Sequence, residues 1–406
     1  MVSWKYYFCL ALCGLFLFIY LTSLKRTHGD FDVYYEAGQN FISKKQIYIP
    51  KGGIEEYKYA PFFALIISPL TFFERLTALY IWNILQFCFL SISLILLLNL
   101  SQLSLDRKKT FLLFILTLMG CFRFMITNIK IGQSNLLILM LLISTFYFVF
   151  HKKNEVLSAG TLAFSLTLKF FPLLWIAYFL IKKKFRLILY TLCFLSVFLI
   201  LPAFYTGWDL YQTQLTDWMN LLRNNPKVLY YTPKNNSFFA FYAWLLITRL
   251  ENIPMTEYLH ISTPLNLKIY MYWFFTGVLF FILFFFREFL KQKIMTRAEV
   301  LMDLAGLFLL SLMFNPLAHK DFFIFTCVPY FTFFYILLFS NISLRARRIA
   351  TVCIVISFML LTIFKSAFLG PKDLFYFLQF KPLLWGSVLM FCVFIYFKHQ
   401  KRLISS

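Results

Sequence analysis

The chain alternates long apolar stretches with short polar connections over nearly its whole length. Runs near 6–24, 76–100, 110–126, 135–150, 187–205, 268–286, 299–314, 321–340, 349–369 and 382–397 each have the length and polarity of a membrane-crossing helix. The segment 156–181 differs, because Lys169-Phe170-Phe171-Pro172 lies at its middle and proline interrupts a helix. Two half-helices with a turn inside the protein satisfy the backbone there, an arrangement tolerated where it lines a cavity. Counted as a pair, they bring the expectation to an all-α polytopic membrane protein of about twelve crossings.

The connections sort by charge. Basic residues gather at Arg107, Lys108 and Lys109; Lys152 and Lys153; Lys182, Lys183, Lys184 and Arg186; Arg287, Lys291, Lys293 and Arg297; Arg345, Arg347 and Arg348; and Lys398, Lys401 and Arg402. This is the distribution of cytoplasmic loops. It places both termini in the cytoplasm, with a C-terminal tail at 398–406. The opposite side receives a long first loop at 25–60, a loop at 206–236, and the shorter segments 127–134, 315–320 and 370–381. These carry or border most of the acidic residues: Asp30, Asp32, Glu36, Glu55, Glu56, Glu74, Asp209, Asp217, Glu251, Glu257, Asp321 and Asp373. The whole of 1–406 reads as one integral membrane domain.

Composition supports this. Of the 406 residues 61% are hydrophobic and 14% charged, which excludes an ordinary soluble domain. The net charge of +22 would suit nucleic acid, but its confinement to short loops assigns it to topology. The eight cysteines fall inside apolar runs with no Cys-x-x-Cys pair, so they read as core residues and not as a zinc site or disulfide framework. Lys5 precedes the first run, but no small-residue cleavage site follows it, so it is expected to be retained as a span.

Four stretches could carry chemistry. The first is 29–38, with Asp30, Asp32 and Tyr34 just after the first run. A carboxylate at a water–lipid boundary suits a general base, although aspartate also caps helices. The second holds Arg123, Asn128 and Lys130, then Gly132-Gln133-Ser134-Asn135, whose amides can hydrogen-bond a sugar or phosphate at a helix start. The third is Lys169, a cation inside an apolar segment, which marks a functional site or snorkels to the interface. The fourth is the turn 315–321, with His319 and Lys320, which can hold phosphate. There is no His-Glu-x-x-His, no Gly-x-x-x-x-Gly-Lys loop and no Gly-x-Ser-x-Gly elbow, which argues against a metalloprotease, an ATP-driven pump and a lipase.

In order and spacing these stretches resemble glycosyltransferase family 87, polytopic enzymes of the GT-C superfamily that include polyprenol-phosphate-mannose-dependent α-mannosyltransferases. Asp30-Phe31-Asp32-Val33-Tyr34 resembles the family's Asp-x-x-x-Tyr entry to the first outer loop. Tyr59-Ala60-Pro61 and Ser68-Pro69-Leu70 are similar to its Tyr-x-Pro and Pro-Leu elements, and Gly132-Gln133-x-Asn135 to its Gly-Gln-x-Asn element. Ala159-Gly160 with Lys169-x-x-Pro172 resembles Ala-Gly…Lys-x-x-Pro, and Asn315-Pro316-x-x-His319 the late Ser-Pro-x-x-x-His region. In the last, asparagine replaces serine and the proline lies one residue nearer the histidine.

The resemblance implies a GT-C-like bundle that moves a sugar, a hexose such as mannose, from a polyprenyl-phosphate donor to a lipid or glycan acceptor on the outer face, inverting the anomeric carbon. Asp30 would be the catalytic base. Asp32, Tyr34, Arg123, Gln133, Asn135, Lys169, His319 and Lys320 would bind substrate, with the basic groups holding the leaving phosphate. No cofactor is implied, although Asp30 and Asp32 leave a divalent metal open. The partners are the donor, the acceptor and the bilayer, not nucleic acid. A bacterial inner membrane is expected, with no retention signal at the C-terminal end. Two alternatives remain from the residues: a transporter or flippase of lipid-linked sugars, which the broken helix also suits, and a polysaccharide polymerase or ligase. A purely structural membrane scaffold is the blandest option.

Overall fold

The computed structural model describes residues 29–49, 56–101, 106–223, 234–242, 296–363 and 380–399, with the single residues Gly14, Trp244, Leu279 and Leu378. The expected spans near 6–24 and 268–286, and most of the segment 370–381, lie outside the described residues. Among the described residues every element is helical. Four helical stretches among the described residues are long and apolar enough to cross a membrane: Arg75–Ser101, Arg107–Ile131, Phe185–Thr206 and Lys320–Phe339. The first, at 27 residues, is about 40 Å long. The chain is an all-α membrane protein.

The described residues group into two compact units, one within Met1–Leu103 and Met125–Pro226, the other within Ser104–Phe124 and Lys227–Ser406. The first unit contains α1 (Asp30–Ile42), α2 (Pro61–Ile67), α3 (Arg75–Ser101), the end of α4 (Arg107–Ile131), α5 (Asn135–Phe146), α6 (Glu155–Leu168), α7 (Leu173–Ile181), α8 (Phe185–Thr206) and α9 (Trp208–Arg223). A 3-10 turn at Ser68–Phe72 continues α2 and a π-helical turn at Tyr147–His151 continues α5. The α6 helix packs along α8, and α5 packs between α3 and α6.

The expected break in 156–181 is present. Helix α6 stops at Leu168, Lys169 is extended, and Pro172 is the N-cap of α7. At its other end α7 closes on the basic run: Lys183 takes a left-handed backbone with φ 56°, and the amides of Lys183 and Lys184 bond the carbonyls of Leu180 and Phe179. These lysines cap a helix C-terminus, where positive charge is favoured.

Two of the expected outer loops contain helices. The 25–60 loop contains α1, and the 206–236 loop contains α9. In α9 the residues that face inward are Tyr211 and Gln214. Gln214 donates to the carbonyl of Lys45 (3.2 Å), Trp218 Nε1 to that of Lys58 (3.1 Å), and Gln46 donates to Asp217 (2.6 Å). The inward face is mixed: Leu210, Leu215, Trp218, Leu221 and Leu222 line it beside Tyr211 and Gln214, and its polar members bond groups of 45–58. In contrast α8 carries exposed Leu189, Leu192, Val197, Ile200 and Phe204, a lipid-facing surface.

Backbone contact sets the position of α1. An added Cβ on Gly29 would lie 2.7 Å from the Ile131 carbonyl oxygen. One on Gly132, where φ is +71°, would lie 2.5 Å from Phe31 Cβ. These two glycines let the start of α1 cross the α4–α5 turn in direct contact.

The second unit holds the first part of α4, α10 (Arg297–Phe314), a 3-10 turn (Lys320–Thr326), α11 (Cys327–Phe339), α12 (Leu344–Phe358) with a π-helical turn at Met359–Ile363, and α13 (Pro382–His399). Helix α10 packs on α11 and α13. Lys398 belongs to α13 and not to a tail, and its ammonium lies 2.5 Å from the fully buried Asp303.

Gly132→Ala is expected to destabilise the protein by about 2–4 kcal/mol, from left-handed strain plus overlap with Phe31. Gly160→Ala, whose added Cβ would meet the Phe194 ring at 3.9 Å, should be neutral or stabilise by up to about 1 kcal/mol. Thermal unfolding of both variants in one detergent checks the contrast.

Candidate functional site

The first unit draws together Asp30, Tyr34, Tyr59, Gln133, Ser134, Asn135 and Lys169. Asp30 is the first residue of α1, after the N-cap Gly29. It is therefore not the cap, and its carboxylate lies in the favourable field of a helix N-terminus. Gln133 Nε2 donates to Asp30 Oδ2 at 2.6 Å.

The turn 132–135 makes this arrangement residue by residue. The Gly132 carbonyl accepts Trp82 Nε1 at 2.8 Å. Gln133 reaches Asp30. Ser134 Oγ donates to Tyr59 Oη at 3.1 Å. Asn135 Oδ1 accepts the Lys169 ammonium at 2.6 Å, and Asn135 Nδ2 donates to Asn128 Oδ1 at 3.0 Å. Ser134, Asn135 and Asn128 are fully buried, so these bonds satisfy groups that would otherwise be costly.

A second backbone link closes the cluster. The Ala60 amide donates to the Thr167 carbonyl at 3.2 Å. It ties Tyr59-Ala60-Pro61 to the end of α6, two residues before the extended Lys169 and its Lys-x-x-Pro break. Tyr34, buried on α1, meets Tyr59 edge-on with ring centroids 5.1 Å apart. Burial pushes the Tyr34 hydroxyl well above its ordinary range, and the negative charge of Asp30 adds to the effect.

Asp32 is engaged by other partners than Asp30. It lies two positions from Asp30 on the helix, a spacing at which side chains do not face each other. Its carboxylate receives Arg75 Nε at 2.7 Å and Nη2 at 2.8 Å, and Oδ2 also accepts the Gly29 amide at 3.3 Å. With both oxygens engaged by a bidentate guanidinium and a helix N-terminus, Asp32 ties α1 to α3. The Asp30–Asp32 pair is a poor fit to a metal cage, and among the described residues no group of three or more His, Cys, Asp or Glu is placed to hold a metal ion.

Sequence reasoning missed Lys58 as a site residue. Burial lowers its pKa, while the negative charges of Glu56 and Asp30 oppose that fall. A second cation besides Lys169 thus lies within electrostatic range of Asp30. Its neighbour Tyr59, known only as part of a short motif, proves to be a hub of hydrogen bonds. The spacing of Lys58 from the aromatic Tyr57 and Tyr59 carries no signal of its own.

Arg123, His319 and Lys320 belong to the second unit. Arg123 Nη1 donates to the carbonyls of Leu361 (3.0 Å) and Thr362 (3.5 Å), in the π-helical turn after α12. It therefore satisfies carbonyls that a π turn leaves out of α-register. His319 is the N-cap residue of the 3-10 turn that starts at Lys320. The preceding residues are pinned by Asn235, fully buried, whose Oδ1 accepts the Ala318 amide (3.0 Å) and whose Nδ2 donates to the Pro316 carbonyl (2.7 Å). The Asn236 amide adds a bond to the Ala318 carbonyl at 2.8 Å. Asn235-Asn236-Ser237 thus does more than start a helix.

The sequence model of glycosyltransferase family 87 matches residues 57–316, more than half of the chain. The matched stretch includes Tyr59, Gln133, Asn135 and Lys169; it begins after Asp30 and ends before His319. No curated protein matches the sequence.

Asp32→Asn weakens both the ion pair and the helix-end interaction, so a loss of about 1 kcal/mol is expected, discounted for partial exposure. Asp30→Asn should leave stability within about 0.5 kcal/mol while removing activity. Chemical or thermal unfolding beside a transfer assay separates the two carboxylates.

Proposed function

The chain belongs to glycosyltransferase family 87, and we propose that it transfers a sugar from a polyprenyl-phosphate donor to a lipid or glycan acceptor, with Asp30 as the base. The single observation behind this reading is the cluster in the first unit. A carboxylate at a helix N-terminus is held by Gln133, while the Lys169 ammonium is held by Asn135 two residues further on. One short turn thus addresses a proton acceptor and a cation together.

Each group has a task in such a transfer. The acceptor hydroxyl must lose a proton as its oxygen attacks the anomeric carbon, and Asp30 receives it. The bond from that carbon to the donor phosphate breaks, and the electron pair leaves with polyprenyl phosphate. Attack from the face opposite the leaving group inverts the carbon. The departing phosphate gains charge, which Lys169 offsets in a site with little water. Lys58 is a second candidate for that charge. A hexose such as mannose is supported by the resemblance to polyprenol-phosphate-mannose enzymes, and action at the outer face by the basic connections expected on the other side.

The experiment is sugar transfer by purified protein in lipid. Labelled polyprenyl-phosphate mannose, glucose and arabinose are offered in parallel, with crude envelope lipid as acceptor. Asp30→Ala should abolish the labelled product while the protein stays folded and membrane-inserted. Lys169→Ala should lower kcat by about a hundredfold or more, the scale of losing one charge-stabilising group. Full activity of Asp30→Ala would refute the reading. Movement of the lipid-linked sugar across the bilayer without a new glycosidic bond would favour a flippase.

A further inference from the structure

Behind Gln133 stand three hydroxyl groups that the transfer step does not use. Ser134 Oγ donates to Tyr59 Oη at 3.1 Å. The Tyr34 and Tyr59 oxygens are 2.7 Å apart. Both phenols also lie within donating distance of Gln133 Oε1, Tyr34 at 3.3 Å and Tyr59 at 3.4 Å. Each hydroxyl has one proton to give. Ser134 gives its proton to Tyr59. One phenol gives its proton to the other, and the second phenol then donates to Gln133 Oε1. Whichever phenol comes last, the amide oxygen is held as an acceptor on the tyrosine side.

That choice fixes the other end of the amide. With Oε1 turned to the phenols, the NH2 group faces Asp30 Oδ2 at 2.6 Å. Turned the other way, the last phenol proton would lose its acceptor and the amide oxygen would face a carboxylate, a repulsive contact in a partly buried place. The arrangement also discriminates between the two forms of Asp30. A carboxylate accepts from NH2, whereas a protonated carboxyl oriented toward it would meet a donor. An amide ends a proton path, so the hydroxyl chain orients and does not conduct.

We propose that Ser134, Tyr59 and Tyr34 are positioning residues for the base: they fix the Gln133 amide with its NH2 toward Asp30 and so hold Asp30 in the ionised form that proton acceptance requires. Gln133 and Tyr34 then serve the base and not the sugar. The inference rests on Asp30 being the base of the proposed transfer.

The test reads Asp30 in the protein alone. In lipid nanodiscs without donor, the infrared carboxyl band that disappears in Asp30→Asn reports protonation of this residue across a pH titration. Other charged or titratable groups around it are Lys58 from the segment before α2, Tyr34 on α1, and the Asp32–Arg75 pair at the start of α1 and α3. All are unchanged in Gln133→Leu. Hydrogen bonds to an ionised group favour that form, so their loss raises the pH at which the band appears. Gln133→Leu should raise the midpoint by about one pH unit or more. Tyr59→Phe, which removes one oxygen, should move it in the same direction by less, and it decides the matter if Gln133→Leu does not fold. In the transfer assay with polyprenyl-phosphate mannose and envelope lipid, both variants should lower kcat, shift the acid limb to higher pH and leave the donor KM unchanged. An unmoved midpoint in the folded variants would overturn the inference, as would a raised KM at constant kcat. Failure of the function reading is separate, because it shows as transfer surviving Asp30→Ala.

Discussion

The first unit depends on one close approach of backbone to backbone. At Gly29 and Gly132 the start of α1 and the turn between α4 and α5 touch without room for a side chain. Every polar contact of the cluster is a consequence. Asp30 follows Gly29 directly and Gln133 follows Gly132 directly, so the crossing of the glycines brings carboxylate and amide to 2.6 Å. The left-handed backbone at Gly132 turns its carbonyl to Trp82 and starts α5 with Ser134 and Asn135 pointing back into the cluster.

A cation and an anion share this turn. Each is held by an amide, Asp30 by Gln133 and Lys169 by Asn135. Amide partners orient the charged groups. Asp32, by contrast, is paired with Arg75, which anchors α1 to α3. Two aspartates separated by one residue thus have different partners because they sit on different sides of one helix.

The second unit solves a different problem, that of irregular backbone among apolar helices. The turn before His319 presents unpaired amides and carbonyls, and Asn235, Asn236 and Ser237 supply the missing partners. The π-helical turn after α12 offers carbonyls that Arg123 takes up. In both places a polar residue inside an apolar unit is explained by the backbone it satisfies.

The apolar runs, their lengths and the sign of charge in the connections determined the class of fold, because the lipid environment demands helices of that length and polarity. The break at Lys169–Pro172 was equally legible, since proline cannot continue a helix. The short motifs also marked Asp30, Gln133, Asn135 and Lys169 as belonging together. What each does to the other was decided only in three dimensions. Hydrogen bonds between Gln133 and Asp30, or Ser134 and Tyr59, join residues about a hundred or about seventy-five positions apart, and no periodicity encodes such a meeting. Helix α9 carries an apolar face at helical spacing, with Tyr211, Leu215, Trp218 and Leu222, but which polar groups its Gln214, Asp217 and Trp218 bond was set by the fold. Arg75, Lys58 and Asn235 look like ordinary interfacial residues until the fold supplies Asp32, Asp30 and the 316–318 backbone as their neighbours.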